Sequence, residues 1–92
     1  MTQSQSDLLE LKNLGAASVN ILHAIGINNY EDLKSTGSVE AYTKIKNRGI
    51  NVSKVMLYAL EGALLNVPWN ELDSTIKQEL VDQANKRLEQ AS

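Results

Sequence analysis

The 92-residue sequence contains no cysteine. Disulfides and thiolate metal sites are therefore excluded, and a cytoplasmic setting fits best. One proline and five glycines fall far short of the excess that marks a collagenous or disordered chain. No basic, apolar, small-residue leader opens the chain. Its most continuous apolar run, residues 52–65, is broken by Lys54, Glu61 and Gly62, well short of the ~18 residues a spanning helix needs. The expectation is a protein that neither spans nor enters a membrane. A basic excess is also missing: the formal net charge is −2 and the pI is near 5.3, so any site for a polyanion has to be local. Equally absent are a nucleophile with its base, paired carboxylates, a phosphate loop with its lysine, and metal ligands at workable spacing. The single histidine, His23, sits between Leu22 and Ala24 with no ligand pattern around it, and a structural role suits it. Glu71 and Asp73 fall at a helix start, where they complement the dipole rather than perform acid–base work. The reading is a non-enzyme with no cofactor and no metal.

What is present is amphipathic helix. Over residues 52–65, Val52, Val55, Met56, Ala59, Leu60, Ala63 and Leu64 follow the spacing of one wide apolar face, and Leu57, Tyr58 and Leu65 carry apolarity to other sides. This predicts a central helix covered from several directions. Gly62, which costs about 1 kcal/mol against alanine in a helix interior, marks either close packing of another backbone or simple tolerance.

Around that helix the rest follows in order. Residues 1–5 are polar and aperiodic and read as a disordered lead-in, with one helical domain over residues 6–90. A short first helix starts at Ser6 and ends near Asn13; a second carries Ala17, Ser18, Ile21, Leu22 and Ile25 and stops at Gly26. A third runs from Asn28 or Asn29 to Gly37, and a fourth from Ser38 to Gly49 presents Val39, Tyr42 and Ile45; both read as short covers. After the central helix Pro68 stops the chain, Asn70 or Asp73 caps a last helix, and Ile76, Leu80, Ala84 and Leu88 form its stripe, with Asp82 and Lys86 as a surface pair. No strand alternation remains, so the class is all-α: five to six helices built as tandem helix-hairpin-helix-like, SAM-like units.

Those units rest on an internal echo. Leu11-Lys12-Asn13-Leu14-Gly15 returns as Ile45-Lys46-Asn47-Arg48-Gly49, each followed by a serine-led helix. A helix, a glycine turn and a second helix expose backbone amides suited to a phosphate, and the arrangement resembles the helix-hairpin-helix motif. Neither copy has that motif's second glycine. The first copy lies near Asp7 and Glu10 with Lys12 as its only nearby cation. The second lies in residues 41–60, which contain no acid but hold Lys44, Lys46, Arg48 and Lys54. These four cations with Gly49 are the candidate nucleic-acid-binding residues; the alternative is a solvated basic face balancing an acidic surface. Lys12, Gly15 and Trp69 are the candidate partner-binding residues, Trp69 being either a lid over the central helix or an anchor for another protein.

Four stretches in this order carry a family resemblance: Leu11-Lys12-Asn13-Leu14-Gly15; Ile25-Gly26-Ile27 with Glu31-Asp32-Leu33; Leu57-Tyr58-Ala59-Leu60-Glu61-Gly62-Ala63; and Trp69-Asn70-Glu71-Leu72. Together they resemble the C-terminal domain of the TfoX/Sxy competence regulators. The resemblance implies a non-enzymatic regulatory module that assists transcription of DNA-uptake genes, beside the cyclic-AMP receptor protein, through weak DNA-backbone contacts, contacts with a transcription-related protein, or both. That family's N-terminal domain has no counterpart here, so its functions do not carry over. The chain departs from the family at Ala16-Ala17, where proline and lysine are common. A fainter similarity, at the level of fold, is to the DNA-contacting C-terminal domain of the bacterial RNA polymerase α subunit. The contrasting reading is a protein-interaction or dimerisation module without nucleic acid, the chain itself being a monomer or weak dimer.

Overall fold

Short capped helices follow one another through the computed structural model, which describes residues 7–90. A 3₁₀ turn at Asp7–Glu10 precedes α1 (Ala16–Ala24), α2 (Tyr30–Thr36), α3 (Ser38–Asn47) and α4 (Lys54–Leu65); a second 3₁₀ turn, Trp69–Glu71, leads into α5 (Ser74–Gln90). The expected all-α class is observed. The lead-in over residues 1–5 and the Ser6 cap lie outside the described residues. The first element is one 3₁₀ turn rather than a helix reaching Asn13, and Asn13 itself adopts a left-handed conformation (φ 74°).

Local chemistry sets the ends. Asn29 caps α2 by accepting the Asp32 amide at 2.8 Å, while the Asp32 carboxylate accepts the Asn28 amide at 3.0 Å. Asp7 accepts the Tyr30 amide at 2.7 Å and so ties the opening turn to the same helix start. At the other ends a common closure recurs. Ile27 N–H bonds Leu22 O beyond Gly26, Ile50 N–H bonds Ile45 O beyond Gly49, and Val67 N–H bonds Gly62 O beyond Asn66. The intervening residues have φ of 88°, 88° and 62°, which is the Schellman ending with an apolar residue folded back after it.

The core is built on Leu8, Leu22, Leu33, Ile45, Leu57 and Leu60, all fully buried. Both α3 and α4 run through it, and α3 packs on α1, α2, α4 and α5. Six of the ten residues of α3 are buried, against six of twelve in α4. The fourth predicted helix is therefore central rather than a cover. Its small residues Ala41 and Thr43 contribute little hydrophobic signal, yet both are buried where the neighbouring helices pack on α3. Thr43 Oγ1 is satisfied by Glu40 O at 2.9 Å, and buried Ser38 donates to Glu61 at 2.6 Å.

Gly62 marks a close approach. A methyl group there would stand 2.5 Å from Asn13 Nδ2 and 2.7 Å from Val67 O. On α5, Leu80, Val81 and Ala84 are buried, while Ile76 and Leu88 are half-buried. The expected Asp82–Lys86 pair is replaced by a bond from Gln78 to Asp82 (3.1 Å), and Arg87 pairs with Glu40 on α3. No helix among the described residues is long and apolar enough to cross a membrane.

Candidate nucleic-acid interface

The two copies of the sequence echo fold differently. Gly49 ends α3 with positive φ, whereas Gly15 precedes α1 with φ −113°, and the left-handed residue of the first turn is Asn13. Ser53 is the cap of α4, accepting the Val55 amide at 3.3 Å, whereas Ser18 lies inside α1. A different echo is kept in three dimensions. Gly26-Ile27-Asn28 and Gly49-Ile50-Asn51 both terminate a helix with the same closure. Sequence reasoning passed over this identical tripeptide, which was the available signal.

The closure consumes the amides of the glycine turn. Gly49 N–H bonds Lys46 O at 3.0 Å and Ile50 N–H bonds Ile45 O at 3.2 Å, so a phosphate at this turn would have to meet side-chain cations or the first turn of α4.

The four predicted cations separate into groups. Lys44, in the last turn of α3, and Arg48, which caps its end, lie one turn apart, both exposed. With Asn47 and with Ala24, Ile25 and Gly26 at the end of α1, they line a shallow cleft of about 470 Å³. Among the described residues neither pairs with a carboxylate. Their charges also complement the negative end of α3. Lys46 faces elsewhere: its ammonium donates to Val52 O at 3.0 Å and stands 5.8 Å from the centre of the Tyr42 ring, strapping the loop that follows Gly49. Burial, and secondarily Tyr58, pushes the Tyr42 hydroxyl above its ordinary pKa, so the ring beneath Lys46 stays neutral. Lys54 is exposed in the first turn of α4.

Asn13 organises the second group of candidate residues. Its Nδ2 donates to Val67 O at 2.9 Å and to Ala59 O at 3.4 Å, and its Oδ1 accepts the Trp69 amide at 3.0 Å. Lys12 and Gly15 flank this residue. Trp69 is half-buried across α4, stacked on Tyr58 with ring centres 6.1 Å apart, and Lys77 stands 5.5 and 5.3 Å from the two rings. His23 is exposed near the end of α1, and no group of three metal-ligating side chains occurs among the described residues.

Comparison with known proteins places the fold among relatives. The pattern of the TfoX C-terminal domain family matches residues 4–84. A crystal structure of an uncharacterized protein from Listeria monocytogenes, in a triclinic form, is 40% identical, with a TM-score of 0.75 over 79% of this chain and 83% of that one. A protein of unknown function from the same organism, in a tetragonal form, is 36% identical, with a TM-score of 0.78 over 85% of this chain and 96% of that one. No curated protein matches the chain.

Proposed function

Since the chain belongs to the TfoX C-terminal domain family, we propose that it is a competence-related, non-enzymatic regulatory module that contacts the backbone of duplex DNA. The observation that carries this reading is the Lys44–Arg48 pair. Two exposed cations one helical turn apart, without carboxylate partners among the described residues, border a cleft that Ala24, Ile25 and Gly26 line from the other side. Phosphates entering that cleft meet two positive charges, whereas Lys54, at the start of α4, does not line it. Lys46 supports the surface by holding the loop after Gly49 to Val52 O, and it contributes less directly to the ligand. Lys44 and Arg48 are assigned to phosphates and not to base edges. Specificity for a promoter is then supplied by a protein already bound there.

Titration of unrelated duplex DNA sequences tests the reading. The expected result is similar, weak affinity for all of them, on the order of 10⁻⁴–10⁻⁶ M at physiological salt. A Lys44→Glu, Arg48→Glu variant of equal helicity should lose that binding. Unchanged binding by the variant, or none by the parent at low salt, would overturn it.

A further inference from the structure

A second surface stands apart from the Lys44–Arg48 cleft and does not depend on it. Between α1 and α4 runs a groove of about 280 Å³, whose apolar walls are Ile21, Val52, Val55, Met56 and Trp69. Val55 is 41% exposed although its neighbours Met56 and Leu57 are buried, so the apolar wall continues out onto the surface. The first turns of both helices border the groove. Neither contains an acid, and α1 has no side-chain cap on its opening amides. Each helix start is worth roughly half a positive charge, and the exposed cations Lys12 and Lys54 lie beside the lining residues Asn13 and Ser53. Among the described residues no carboxylate lines the groove, although the chain as a whole carries a net charge of −2.

An apolar floor with a positive rim selects a ligand that is apolar on one side and acidic on the other. We propose that this groove receives an acidic amphipathic segment of a partner protein. Apolar side chains one helical turn apart enter between Val55 and Trp69, while neighbouring carboxylates face Lys12, Lys54 and the free amides of α1. A nucleic-acid backbone satisfies the rim but leaves the floor of Val52, Val55 and Met56 unused. The same chemistry explains why Trp69 is held half-exposed by Asn13 and Tyr58 instead of being sunk in the core.

Trp69 is the only tryptophan, so its emission reports occupancy directly. The probe is a synthetic peptide of about 16 residues with leucines at helical spacing and glutamates elsewhere. A twin peptide carries lysine for glutamate, and a second control carries serine for leucine. The acidic amphipathic peptide should shift the Trp69 emission saturably, with both controls weaker by about tenfold or more. Val55→Asp should abolish the shift, and Lys12→Glu with Lys54→Glu should weaken it by about tenfold. All three side chains are exposed, so circular dichroism should show each variant as helical as the parent, and the charge pair tests the idea independently of Val55. Lys44→Glu with Arg48→Glu should leave peptide binding intact, which separates this surface from the DNA reading. Equal binding of the acidic and basic peptides, or no saturable response to the acidic one, overturns the proposal. A short DNA duplex that moves Trp69 emission and is blocked by Val55→Asp overturns it in favour of nucleic acid.

Discussion

Asn13 and Gly62 act at one point from two sides. The asparagine reaches across to bond Val67 O and the Trp69 amide, and the glycine leaves the space through which it reaches. Gly62→Ala therefore drives a methyl group against both the hydrogen-bonded Asn13 amide and the Val67 carbonyl. It should cost about 1–3 kcal/mol in thermal or denaturant unfolding, despite the better helix propensity of alanine. Asn13 has a second duty, since it holds a φ of 74°. Asn13→Gly keeps the conformation and loses the hydrogen bonds, at about 1–3 kcal/mol; Asn13→Ala loses both and should be about 1 kcal/mol worse. Equal stability of the two variants would show that the left-handed turn at this residue contributes nothing. Gly62 was legible in the sequence as a site of close packing or of tolerance, and the crossing decides for packing. Its partner was not legible, because Asn13 is remote in the chain and a polar residue in a turn carries no signal of what it will bond.

The helices were legible where their ends are chemically marked. Gly26, Gly37, Gly49, Asn29 and Ser53 each sit where glycine or capping chemistry places a boundary. Centrality was harder to read, because burial depends on what packs from outside: Val39, Tyr42 and Ile45 form the stripe that the sequence shows, but Ser38, Ala41 and Thr43 are buried as well, and short or polar side chains carry no signal of being covered. Truncating Ile45 on α3 should therefore cost as much as truncating Leu57 on α4, about 2–5 kcal/mol each in denaturant unfolding. A cost below about 1 kcal/mol for Ile45→Ala alone would return α3 to the periphery. The basic stretch shows the same limit. A run of cations in sequence says nothing about which face each one takes, and helix geometry sets Lys46 apart from Lys44 and Arg48. Lys46→Met removes the bond to Val52 O and should speed amide hydrogen exchange over residues 51–53, while α1 and α5 keep their protection.

At the scale of the whole molecule, a small acidic domain carries two chemically distinct surfaces: the cationic cleft at the end of α3 and the apolar, carboxylate-free groove between α1 and α4. The exposed large apolar side chains among the described residues, Leu9, Val55 and Leu65, are separated, one in the opening 3₁₀ turn and the other two at opposite ends of α4, and α5 already buries Leu80, Val81 and Ala84 against the rest of the fold. Sedimentation at micromolar concentration should accordingly give a monomer or weak dimer. A tight dimer that dissociates on Leu88→Asp would transfer part of α5 to an interface. The central claim is that Lys44 and Arg48 neutralise DNA phosphates while Lys46 serves the fold, and the salt dependence of duplex DNA affinity tests it most directly. Each phosphate contact contributes about 0.9 to the slope of log affinity against log salt. Lys44→Ala with Arg48→Ala should flatten that slope by about two, whereas Lys46→Met should leave it nearly unchanged. The same slope for the double variant as for the parent, or a loss on replacing Lys46 as large as that for the pair, would contradict the account.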